Sequence, residues 1–176
     1  MVDCIETAPS GRSKCRACRQ PIAKGADRFG ESAPNPYGEG ETHFWYHLHC
    51  AALRLPDKLQ ALLADESQAR GDRELLLAMA RNAAAHALLP KVIRADRAPT
   101  ARARCQTCRQ VIDKGELRIV LERMQEGISS AAGFMHVNCA TAEVGAPALL
   151  ERLSYCQPAL PEDDQAQLRG KIESTV

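Results

Sequence analysis

Two cysteine pairs spaced by two residues, Cys15/Cys18 and Cys105/Cys108, are the groups in this chain best suited to chemistry. A Cys-x-x-Cys pair places two thiolates on one turn of backbone, which suits a tetrahedral metal site or a redox motif better than a structural disulfide. Each pair is followed by a histidine and, three positions later, another cysteine: His47 and Cys50, then His136 and Cys139. Three thiolates and one imidazole close a tetrahedron around zinc and leave no position for water. That is the pattern of a structural site, not a hydrolytic one. The expectation is two structural Zn2+ ions, one in each Cys-Cys-His-Cys set.

A repeat supports this grouping and selects the histidines. The segment from Cys15 to Arg28 recurs ninety residues later as Cys105 to Arg118, with eight of fourteen positions identical. A second block, His47-Leu48-His49-Cys50-Ala51, returns as His136-Val137-Asn138-Cys139-Ala140. Of the neighbouring candidates His43, His47 and His49, only His47 has a histidine counterpart. Cys4 and Cys156 lie outside the repeat and read as a spare thiol near the terminus and a small buried hydrophobe.

The elements that must hold these ligands follow from pattern. A knuckle turn is expected after each Cys-x-x-Cys, with Lys24-Gly25 and Lys114-Gly115 marking the next turn. Asp27–Glu31 and His43–His47 read as a strand pair, as do 117–121 and 134–136. The segment from Ala33 to Gly40 reads as an exposed loop. Helices are expected from Pro56, from Gly71-Asp72, and after Pro147 and Pro161. The fold class is thus small α+β zinc modules joined by a helical insert. The expected division is 1–55 for the first module, 56–98 for the insert and 99–176 for the second module with its C-terminal helices. Leu59, Leu62, Leu63, Leu75, Leu76 and Met79 stripe the insert, and such a stripe suits either an internal bundle or a dimer surface. Trp45 and Phe134, two residues before each histidine, read as core aromatics.

Composition narrows the function. Eight cysteines in 176 residues fall below the density of a disulfide scaffold. No apolar stretch near the N-terminus reads as a secretory signal, and no run approaches the roughly 20 residues that span a bilayer. The expectation is a soluble protein of a reducing intracellular compartment: bacterial cytoplasm and nucleoid, or a nucleus. The net charge of +1 excludes a broadly basic nucleic-acid coat. Neither a Gly-rich nucleotide loop nor a paired acid and base stands outside the zinc sets, so an enzyme is not expected.

The repeated unit resembles the zinc finger of poly(ADP-ribose) polymerases and some DNA ligases. The resemblance rests on Cys-x2-Cys, a gap of 27 or 28 residues and His-x2-Cys, with Ser10-Gly11-Arg12-Ser13-Lys14-Cys15, Ile22-Ala23-Lys24 and Trp45-Tyr46-His47 in the first copy. The second copy keeps Arg102 three residues ahead of its first cysteine, and Leu160 to Gln165 resembles the family's closing helix. The resemblance implies binding to DNA strand breaks: nicks, gaps or ends. It assigns phosphate contacts to Arg12 and Arg28 in the first module and to Arg102 and Arg118 in the second. Guanidinium forks suit phosphate, and such contacts are blind to sequence. It also implies an apolar loop platform stacking on the base pair that a break exposes; Tyr37 is the candidate, with Met124 and Ile128 in the second module. A repair protein is the implied partner. The alternative is a zinc-stabilised adaptor that binds protein and not DNA.

Overall fold

The computed structural model describes residues 2–35, 37–65, 71–156 and 159–175. The chain divides into two compact units, Met1–Ala84 with Met124–Ser129, and Ala85–Arg123 with Ser130–Val176. The fold is small α+β, with two three-stranded antiparallel sheets and six α-helices among the described residues.

The first sheet has the order β1 (Cys4–Thr7), β2 (Asp27–Pro34), β3 (Glu41–His47). Alternation along β2 sends Phe29, Glu31 and Ala33 to one face and Arg28, Gly30 and Ser32 to the other. Strand β3 runs directly into α1 (Leu48–Arg54), so the helix begins at the residue after His47 and itself holds Cys50. Helices α2 (Pro56–Leu63) and α3 (Arg73–Ala84) pack with α1. Pro56 opens α2, and the Asp72 carboxylate accepts the Leu75 N–H at 3.0 Å at the start of α3. Leu59, Leu63, Leu76 and Met79 are buried in this packing, whereas Leu75 is exposed. Most of the leucine stripe is therefore consumed inside the first unit.

The second sheet has the order β4 (Val92–Arg97), β5 (Leu117–Gln125), β6 (Ile128–His136). It is followed by α4 (Val137–Val144), α5 (Ala146–Ser154) and α6 (Glu162–Glu173). The core joins Ile112, Leu117, Ile119 and Leu121 to Val137, Leu149, Leu168 and Ile172. Arg97 fastens β4 to α6, its Nε donating to Asp164 at 2.9 Å and Nη2 to Gln167 at 2.7 Å.

Two features depart from the sequence reading. Strands β1 and β4 are edge strands of four and six residues, too short to show a period, and β4 lies in the stretch that reads as the helical insert. Ala33 and Pro34 belong to β2, not to a loop. Beyond Gly30 strand β1 no longer pairs, and the freed Ser32 N–H is taken by the Asp3 carboxylate at 2.8 Å. Pro34 lies at the exposed end of the strand, where it costs no ladder bond.

Candidate metal centres and nucleic-acid interface

The ligand atoms of Cys15, Cys18, His47 and Cys50 all lie within 4.8 Å of one another, and so do those of Cys105, Cys108, His136 and Cys139. A tetrahedral zinc with Zn–S near 2.3 Å needs thiolates about 3.8 Å apart, so both donor sets fit the ion. His47 Nδ1 is 3.4 Å from Cys18 Sγ and 3.9 Å from Cys50 Sγ; His136 Nδ1 is 3.3 Å from Cys108 Sγ and 4.0 Å from Cys139 Sγ. In each ring the other nitrogen, Nε2, donates to a backbone carbonyl at 3.2 Å, Pro21 in one module and Val111 in the other. That second bond fixes the tautomer and aims Nδ1 at the metal.

Local backbone brings the thiols together. Arg19 and Arg109, each directly after its Cys-x-x-Cys, adopt left-handed φ values of 63° and 64°. This bends the knuckle so that Cys15 N–H reaches Gln20 O, and Cys105 N–H reaches Gln110 O, both at 2.9 Å. The Cys15 thiol is held down to about 4, first by a hydrogen bond from the Cys50 thiol, with the Cys18, His47 and Ala17 amides helping against burial. At Cys105 burial pushes upward, but the amides of Cys108, His136 and Thr107 outweigh it and the thiol lies at about 6. Each metal set thus contains one buried cysteine already disposed to bind as thiolate. The structure and chemistry define two closed Cys3His modules, each holding a structural zinc.

The arginines fall into two kinds. Arg12 and Arg102 are exposed on the turns before the knuckles, with Lys14, Arg16 and Arg19 exposed nearby in the first module. Arg28 and Arg118 are 5% and 7% exposed. Arg28 Nε and Nη2 donate to Glu6 Oε1 at 3.1 and 2.5 Å, and Nη1 donates to Ser13 Oγ at 2.6 Å. Its guanidinium lies 3.6 Å from the centre of the Trp45 ring. Arg118 repeats the arrangement: Nε donates to Asp96 at 2.7 Å, and the guanidinium lies 3.8 Å over Phe134. Trp45 and Phe134 are half-buried here and are cation platforms; the aromatic core is Phe29 and Tyr46, both fully buried. The reading as a core aromatic is corrected for Trp45, because alternation along β3 turns it to the face opposite Tyr46, whereas Phe134, partly buried, packs against the core of the second module as expected.

Glu6 and Asp96 did not emerge from the sequence reading. A signal existed: each lies nine residues before the first cysteine of its module, and each pairs in register with its arginine, Glu6 with Arg28 and Asp96 with Arg118. Tyr37 is 92% exposed in the connection between β2 and β3. In the second module the connection shrinks to Glu126-Gly127, both at positive φ as a tight hairpin requires, and Ile128 beside it is 61% exposed.

Residues 6–77 match the family described as "Poly(ADP-ribose) polymerase and DNA-Ligase Zn-finger region". A poly [ADP-ribose] polymerase 1 of Oryza sativa subsp. japonica is 28% identical over 172 residues, 93% of this chain and 17% of the relative. One of Caenorhabditis elegans is 33% identical over 51 residues, 29% of this chain and 5% of the relative. The chain therefore spans under a fifth of the length of these relatives. Residues 6–77 therefore carry a PARP-type zinc finger, and the second module repeats its ligand set.

Proposed function

We propose that the protein binds DNA at strand breaks, with zinc making the two folds and exposed cations making the contact, and that it acts in repair as a sensor or recruiter and not as a catalyst. One observation carries this reading: a finger of the polymerase and ligase family matches residues 6–77, and its ligand set recurs in the second module. Arg12 and Arg102 supply sequence-blind phosphate contacts at matching places in the two modules. Tyr37, held out into solvent, supplies a stacking surface for the base face that only an interrupted duplex exposes. A reducing intracellular compartment, nuclear or bacterial, suits eight cysteines that form no disulfide.

A second reading is an adaptor that binds protein. The burial of Arg28 and Arg118 and the net charge of +1 favour it. A titration at fixed salt separates the two, using zinc-replete protein and one duplex that is intact, nicked, gapped or blunt-ended. Preference for interrupted DNA, weakened by Arg12→Ala, is the expected result. Weak binding without preference would favour the adaptor.

A further inference from the structure

Both modules contain a buried guanidinium clamped between an edge-strand carboxylate and an aromatic ring, and this device is more elaborate than packing needs. The molecule provides its own control. On the helix-facing side of the first sheet, Glu31 is 4% exposed and accepts hydrogen bonds from Tyr46 Oη at 2.7 Å and Lys58 Nζ at 2.8 Å. The corresponding residues of the second module, ninety positions after Glu31, eighty-nine after Tyr46 and two beyond the helix-opening proline, are Leu121, Met135 and Leu149, all buried. Where only packing is at stake, this fold accepts an apolar trio in place of a polar one, as the energetics of buried ion pairs allow. The arginine clamp is not exchanged in that way. Its acid changes from Glu6 to Asp96 and its ring from Trp45 to Phe134, yet the guanidinium stays.

The geometry says what is being held. A guanidinium has five N–H bonds. At Arg28 the carboxylate takes Nε–H and one hydrogen of Nη2, and Ser13 takes one of Nη1. One N–H of Nη1 and one of Nη2 are left over from these bonds, and guanidinium N–H pairs suit phosphate oxygens. Ring stacking prevents the plane from tilting, and β2 holds Arg28 in register with the ligand His47. We propose that Glu6 and Asp96, with Trp45 and Phe134, are positioning residues: they fix Arg28 and Arg118 so that the remaining guanidinium N–H groups meet a DNA phosphate already oriented. This rests on the break-binding reading and adds how the grip is built. The exposed Arg12, Lys14, Arg16 and Arg19 supply attraction, whereas the clamped arginine supplies direction. Its charge is offset by its own carboxylate, so its contribution is a fork whose orientation was settled during folding.

The sign of one substitution tests this. Glu6→Gln removes a negative charge beside a phosphate site, so simple electrostatics requires tighter DNA binding. The positioning role requires weaker binding, by about tenfold on nicked duplex, from loss of the charged hydrogen bonds that orient the guanidinium. Glu6→Asp, which borrows the acid of the second module, should restore most of the affinity. Asp96→Asn should repeat the effect in the other finger. Zinc content and thermal midpoint are measured on every variant of the full chain. Retained zinc with weakened, Asp-rescued binding supports the proposal. Equal or tighter binding by Glu6→Gln, with wild type preferring nicked duplex, overturns the proposal alone. Loss of zinc in Glu6→Gln assigns the carboxylate to the fold and overturns it as well. A wild-type protein indifferent to nicks overturns the break-binding reading beneath it.

Discussion

The two modules share a metal side and differ on their helix side, and the contrast separates geometry from burial. On the metal side the correspondences run atom by atom: left-handed Arg19 and Arg109, Nε2 bonds to Pro21 and Val111, acid–arginine pairs in register. On the helix side the first module clamps α2 with Glu31 and Lys58. The second instead buries Arg152, which donates to Val92 O at 2.6 and 3.1 Å, and ties β4 to α6 through Arg97. A ligand shell accepts only certain atoms at certain distances; a hydrophobic interface accepts any side chains that fill it.

The largest effect that would break this comparison is loss of one metal. Structural zinc contributes about 10–16 kcal/mol to small zinc domains. Cys18→Ala should therefore unfold the first unit and lower zinc from two ions to one per chain, while Cys108→Ala should do the mirror image. Metal analysis with circular dichroism checks it, and loss of both ions from either variant would contradict the independence of the modules.

Next comes the polar trio. Glu31→Leu alone leaves the Tyr46 hydroxyl buried without its acceptor and should cost about 1–3 kcal/mol. Adding Tyr46→Met and Lys58→Leu copies the second module and should bring stability back to within about 1 kcal/mol of wild type, or above it. Chemical denaturation decides; a triple variant weaker than the single one would show that the trio does more than fill space.

Smaller still is the loop. Tyr37→Ser should leave the thermal midpoint unchanged and reduce the preference for nicked over intact duplex, by an amount within the ~1–3 kcal/mol of a stacked base. Arg12→Ala and Arg102→Ala should each flatten the dependence of log affinity on log salt by about one, again without loss of stability. The smallest expected change is Trp45→Phe, which gives the first clamp the ring of the second and should cost under about 1 kcal/mol.

Much of the metal centre was legible because its residues are scarce and doubled. Cysteine and histidine at fixed spacing, found twice, named all eight ligands and both closed shells. Helix starts were legible where proline or Asp72 marks them. What escaped was whatever needs a third dimension. The four residues of β1 carry no period, so nothing local sets Glu6 apart from other acids; only the pairing of β1 with β2 brings Arg28 across from it. The orientation of Trp45 was likewise hidden: adjacent aromatics at 44, 45 and 46 must split between two faces, and composition does not say which goes where. The same limit hid the difference between Arg12 and Arg28, equal in type and opposite in burial.

Gly30 shows how tightly that hidden face is fitted. A Cβ there would lie 2.6 Å from the Trp45 ring and 3.0 Å from Cys4 Sγ, although the backbone of this glycine is ordinary strand. At the corresponding positions the second module has Val120 and Phe134. Bulk has moved from one strand to the other: a large ring over no side chain in one module, a smaller ring beside a branched one in the other. The two sheets are therefore not interchangeable one residue at a time. A chimera that transplants β2 without β3 would press valine against indole and tilt the guanidinium stacked upon it, whereas exchanging both strands would preserve the fit.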